Sequence, residues 1–108
     1  MKSPILFLIF NRPHTTYQVF KKIKEYKPEK LFIAADGPRD EKHNEKFLCE
    51  QSRKIIQEID WKCEVFTLMR DRNLGCKNAV SSAITWFFSY VDEGIILEDD
   101  CVPDQSFF

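Results

Sequence analysis

Glycine and histidine are scarce here, with three Gly and two His in 108 residues. Low Gly plus Pro, beside 44 % hydrophobic content, excludes a disordered or low-complexity chain. His14 and His43 have no partner at metal-ligand or triad spacing, so they read as surface residues. Cys49, Cys63, Cys76 and Cys101 form no C-x-x-C pair, which argues against a zinc site. Two disulfides remain open as an alternative, and reduced, buried thiols are the expectation. No charge of one sign dominates. At a net charge of -1 no bulk field draws the chain to nucleic acid or to a membrane surface. No apolar run is long enough to span a bilayer, so no transmembrane segment is expected. The run from Pro4 to Phe10 is too short for a signal peptide and leads directly into Asn11-Arg12-Pro13. A cytoplasmic protein without a nucleic-acid partner is the expectation.

What is abundant is phenylalanine, at ten residues. A chain of 108 residues fits one domain and buries roughly two-thirds of its unfolded surface, enough for a core to hold these rings. The apolar run Pro4 to Phe10 suits a strand buried on both faces, as in a parallel sheet. Pro13 then opens a helix, where its missing N–H is no loss. Val19, Phe20, Ile23 and Tyr26 recur at helical spacing, and the helix ends near Lys27-Pro28. Leu31 to Ala35 is a second buried strand, closed by the turn cluster Asp36-Gly37-Pro38-Arg39. A second helix is predicted from about Asp40 to Ile59, frayed around His43-Asn44. Its inward stripe is predicted as Phe47, Leu48, Ile55, Ile56 and Ile59. Cys63 to Leu68 alternates and reads as a strand nearer an edge. After the polar loop Arg70 to Gly75 a long helix is predicted from about Cys76 to Tyr90. Ala79, Val80, Ala83, Trp86, Phe87 and Tyr90 lie on one side of it, and Trp86, Phe87 and Phe88 cannot all face one way. A fourth strand follows Gly94.

This alternation predicts an α/β fold: three layers, α/β/α, around a parallel, Rossmann-like sheet of four strands in the order 3-2-1-4. The fourth strand, Ile95-Ile96-Leu97, runs into Glu98-Asp99-Asp100. Such a carboxylate triplet cannot stay charged in a dry core, so the acids must emerge at the strand's carboxyl end. A divalent cation with hard oxygen ligands, Mg²⁺ or Mn²⁺, relieves their mutual repulsion. In this topology ligands bind beyond the carboxyl ends of the strands, where the winding reverses. Asn11-Arg12, Asp36-Gly37 and the acids collect at that edge. Arg12 and Lys77 suit phosphate oxygens, Asp36 suits a ring N–H, and the acids suit a metal against a diphosphate. The pattern implies a nucleotide site with a metal. Cys101 sits beside carboxylates, which raise a thiol pKa, so it reads as a packing thiol and not a nucleophile.

The order Asn11-Arg12-Pro13, Ala35-Asp36-Gly37, Asn73-Leu74-Gly75, Glu98-Asp99-Asp100 resembles the amino-terminal half of a GT-A glycosyltransferase. It is most similar to the branch that transfers N-acetylglucosamine from UDP, whose bacterial relatives are sometimes labelled haemolysin-like. The resemblance covers essentially the whole chain, and its specificity lies in the order of the motifs. It implies that Asp100 coordinates Mn²⁺ or Mg²⁺ bridging the diphosphate of a UDP-sugar donor. Asp99 and Glu98 would contact the ribose and the donor sugar. Asp36 would read the uracil edge, and Arg12 would sit near the ribose and phosphates. Asn73, Gly75 and Lys77 would line the donor pocket. The acceptor would be a glycan, lipid or protein.

In that family the acceptor-binding residues and any general base follow the metal motif, whereas here eight residues follow Asp100. The chain therefore reads as the nucleotide-sugar-binding half of such a domain, truncated at its C-terminus. Alone it is expected to bind donor weakly and not to turn over, and to dimerise through uncovered apolar surface. Two other classes compete. A Mg²⁺-dependent phosphoryl-transfer domain would want an isolated acid at the end of its third strand, and Leu68-Met69-Arg70 supplies none. A non-catalytic α/β interaction module would use the Phe-rich surface to meet a second chain.

Overall fold

The computed structural model describes residues 2–108, apart from the side chain of residue 105. Strand β1 (Ile5–Ile9) leads through helix α1 (Pro13–Tyr26) to β2 (Lys30–Ala35). Helix α2 (Glu45–Arg53) continues as a 3₁₀ turn, Lys54–Glu58, into β3 (Glu64–Met69). Helix α3 (Cys76–Phe88) and β4 (Ile95–Glu98) follow, and a short 3₁₀ turn, Gln105–Phe107, closes the chain. The sheet has the predicted order β3-β2-β1-β4, with every neighbouring pair parallel. The chain winds outward from β1 to β3 and then returns to lay β4 on the other side of β1, pairing Ile5 with Ile95 and Leu8 with Glu98.

The apolar runs of β1 and β2 are explained by two packed faces. Alternate side chains of a strand point to opposite sides. On one side Ile5, Phe7, Ile9, Leu31 and Ile33 pack with Val19, Phe20 and Ile23 of α1 and with Ile55. On the other side Leu6, Leu8, Phe32 and Ala34 pack with Ala83 and Phe87 of α3. The arrangement is α/β/α in three layers. Strand β3, at the edge, has no fully buried residue, as its mixed composition implies. Phe32 gathers the second core, stacking on Phe66 at 4.3 Å and meeting Phe87 edge-on at 4.9 Å between ring centroids.

Helix α1 starts at Pro13 and stops where Lys27 turns left-handed, its N–H bonded to the Ile23 carbonyl, ahead of Pro28. Helix α2 departs from prediction. It begins at Glu45 instead of near Asp40, because Asn44 adopts φ 70°, and it tightens to 3₁₀ after Arg53. Its buried face is Glu45, Cys49 and Ser52, while Phe47 is 53 % exposed. An inward Glu45 places Phe47 about 200° away on the helix, hence outward. Tyr90 lies beyond α3 and is exposed, and Phe88 turns outward while Phe87 is buried. All four cysteines are free thiols, but only Cys49 is buried; Cys63 is half-buried, and Cys76 and Cys101 are exposed. The packing role expected of Cys101 is therefore corrected. Among the described residues no helix is long and apolar enough to cross a membrane.

Candidate functional site

At the carboxyl edge of the sheet a cavity of about 410 Å³ opens between the loops after β1, β2 and β4 and the start of α3. Each loop is held there by a carboxylate. Strand alternation continues past the end of β4, so Leu97 and Asp99 turn inward while Glu98 and Asp100 remain exposed. Asp99 Oδ2 accepts the Phe10 N–H at 3.1 Å, and Oδ1 accepts Arg12 Nη1 at 3.2 Å. These two bonds stitch the end of β4 to the end of β1. Burial pushes the Asp99 carboxyl above the usual carboxylate range, and Arg12 and the Phe10 N–H offset this only in part.

Asp36 does the same between β2 and the loop before α3. Its Oδ1 accepts the N–H of Gly37 at 2.9 Å and of Leu74 at 2.8 Å. Its Oδ2 accepts Asn73 Nδ2 at 3.1 Å, and that amide also donates to the Gly37 carbonyl at 2.8 Å. Gly37 permits the approach of the two loops: a Cβ there would lie 2.5 Å from the Arg72 carbonyl carbon. Arg53 adds a further tie, donating from Nη2 to the carbonyls of Asp36 at 3.1 Å and Arg70 at 2.7 Å.

A third acid, Glu45, is buried beneath the cavity wall. Arg39 donates to it from Nε at 3.0 and 3.1 Å, with Nη2 at 3.0 Å, and Asn11 Nδ2 donates to it at 3.2 Å. The Arg39 guanidinium also lies over the Phe10 ring, 5.7 Å from its centroid. The exposed acids form the remaining wall. Among the described residues, ligand atoms of Glu98, Asp100 and Cys101 lie within 4.8 Å of one another. Two convergent carboxylates fit a hard cation such as Mg²⁺, which takes one or two protein carboxylates and fills its shell with water or phosphate oxygens. The soft thiol does not belong to that donor set. The Cys101 Sγ instead donates to Asp100 Oδ1 at 3.5 Å, and this bond and the carboxylate charge push the thiol pKa up.

Of the residues singled out from sequence, Arg12, Asp36, Asn73, Gly75, Glu98, Asp99 and Asp100 line this one cavity. Lys77 does not; it is exposed on the first turn of α3, outside the lining. The carboxylates of Asp36 and Asp99, expected to face a ligand, are largely engaged by the protein itself. Asn11, expected at this edge beside Arg12, lines the cavity and donates to Glu45, whereas Arg39 and Glu45 were not expected there. The turn cluster Asp36-Gly37-Pro38-Arg39 carried some signal for Arg39. Glu45, in a polar helix start, carried none.

No family model, curated protein or solved structure matches this chain.

Proposed function

We propose that this cavity binds the diphosphate of a UDP-sugar through Mg²⁺ or Mn²⁺, and that the chain is the donor-binding part of a metal-dependent, GT-A-like glycosyltransferase. The observation that carries the reading is the convergence of exposed Glu98 and Asp100 with Arg12 and Asp36 around one cavity. The sugar–phosphate bond breaks with negative charge developing on the departing diphosphate, and a bound divalent cation supplies the neutralising charge there. Glu98 and Asp100 hold the cation. Arg12, fixed by Asp99, directs its remaining N–H groups to a phosphate oxygen. Asp36 chiefly fixes the two loops beside the donor pocket, and its Oδ2 retains a lone pair for a pyrimidine N–H. Asn73 and Gly75 shape the wall at the start of α3, where Gly75, at φ +85°, occupies backbone space that side chains disfavour. An acceptor, whether glycan, lipid or protein, meets the sugar at the open side.

Amide chemical shifts of the 108-residue chain test this under titration with Mg²⁺ and UDP, then with UDP-N-acetylglucosamine. Shifts are expected at Asn11-Arg12, Asn73 to Cys76 and Glu98 to Cys101, with an affinity in the millimolar range. Asp100→Ala is expected to abolish the Mg²⁺-dependent part. Equal binding by wild type and variant removes the metal role of Asp100.

A further inference from the structure

The cavity repeats one construction. Arg12 and Arg39 each keep a partly exposed guanidinium at the rim, with side chains 54 % and 41 % accessible, while their carboxylate partners Asp99 and Glu45 are buried at 8 % and 3 %. A guanidinium held on one side by a buried acid and partly exposed on the other keeps N–H groups within reach of an anion. Asp99 engages only Nη1 of Arg12, and Glu45 engages Nε and Nη2 of Arg39; both arginines line the cavity, and Arg39 also borders a second one beside Asp40, Glu41 and Arg72. For Arg39 the grip is forked, and the Phe10 ring covers one face of the group. Arg39 Nη1 has no protein partner among the described residues. The side chain's rotamer freedom is therefore already lost before any ligand arrives, which favours capture of an oxyanion.

The sheet order separates the charges across the site. The exposed acids follow β4, Arg12 follows β1, and Arg39 follows β2, so the two arginines extend the cavity away from the acids. A divalent cation at Glu98 and Asp100 leaves part of a diphosphate's charge uncompensated, and the arginines face that remainder.

We propose that Arg39 is a second oxyanion anchor of this cavity, held ready by Glu45 as a positioning residue, and that with Arg12 it binds the phosphate oxygens the cation leaves uncompensated. This rests on the reading of the cavity as a diphosphate site. It adds a ligand-contacting residue and a reason for the buried acid beneath it.

The test is titration of the 108-residue chain, followed by NMR, with Mg²⁺ alone, Mg²⁺ with inorganic pyrophosphate, and Mg²⁺ with UDP. Arg39→Gln is expected to weaken pyrophosphate binding about tenfold or more, the weight of one charge-assisted hydrogen bond, with Mg²⁺ affinity unchanged. Arg39→Lys keeps a charge opposite Glu45 and so protects the fold, but it loses the fork. It is expected to weaken binding several-fold. Glu45→Gln is expected to weaken pyrophosphate and not Mg²⁺. Without any substitution, bound pyrophosphate should shield Arg39 of the wild type from phenylglyoxal, read by mass spectrometry. Wild-type affinity in both Arg39 variants overturns the assignment and leaves the cation site standing, as does unshielded Arg39 in a pyrophosphate-bound chain. If wild type binds neither pyrophosphate nor UDP at millimolar concentration, the diphosphate reading falls and this inference with it. If pyrophosphate binds and UDP binds no tighter, the nucleotide reading falls while Arg39 keeps its role.

Discussion

Asp99 and Asp100 are adjacent in sequence and opposite in surroundings. One is buried against Arg12 and the Phe10 N–H, the other exposed beside Glu98 and Cys101. That exposure gives Asp100 a chemical reporter. A carboxylate accepting the Cys101 S–H disfavours the thiolate, so removing the charge must lower the thiol pKa and raise the thiolate fraction at a given pH. Asp100→Asn is therefore expected to speed iodoacetamide alkylation of Cys101 at mildly alkaline pH, and saturating Mg²⁺ is expected to do the same in wild type. An unchanged Mg²⁺ rate would place the cation elsewhere. Asp36 makes the contrasting prediction. Asp36→Ala strands the N–H groups of Gly37 and Leu74 and should cost about 3 kcal/mol of stability, read from urea unfolding. The acid triplet was legible in sequence, since an apolar strand running into three carboxylates must end at water. Which acid turns back inward was not read, although the period-two alternation of the strand contains that information. Glu45 was illegible, because its burial depends on Asn11 and Arg39, brought to it only by the fold.

Strands β1 and β2 and helix α1 follow from local pattern alone: unbroken apolar runs, a proline at the helix start and a proline past its end. Helix α2 does not. Of the predicted inward stripe, Ile55 is buried and Ile56 and Ile59 pack against the same core, but Phe47 lies in solvent, and Glu45, paired with Arg39, is buried instead. At the first turn of α2 a tertiary polar contact takes the place that hydrophobic periodicity assigns to Phe47. The loop after β2 is constrained more tightly than its Asp-Gly-Pro turn chemistry requires, since Gly37 faces the backbone of Arg72 and not open space. Gly37→Ala is expected to push the two loops apart and to lower stability by about 2 kcal/mol or more, measured as a shift of the urea midpoint. Gly75→Ala meets no atom within 4 Å, so its cost is expected to come from the backbone, whose φ 85° and ψ 152° are nearly confined to glycine, about 2 kcal/mol.

At the scale of the molecule, one sheet separates two apolar layers that share no helix. Substitutions in different layers should add. Ile23→Val on α1 and Phe87→Ala on α3 are expected to cost about 1 and about 4 kcal/mol, and their sum within about 0.5 kcal/mol when combined, in a single unfolding transition. A departure larger than that would mean the layers communicate through the strands between them. The reversal of winding that places β4 against β1 also sets the order of events during synthesis. The pairing of Ile5 with Ile95 joins segments about ninety residues apart, the slowest kind of contact to close. Three strands emerge from the ribosome and can collapse while the free flank of β1 still waits for its neighbour. The exposed acids Glu98 and Asp100 arrive with that fourth strand, so a nascent chain lacks the proposed cation site until β4 is made, and a misplaced strand on that flank would leave a folded sheet without it.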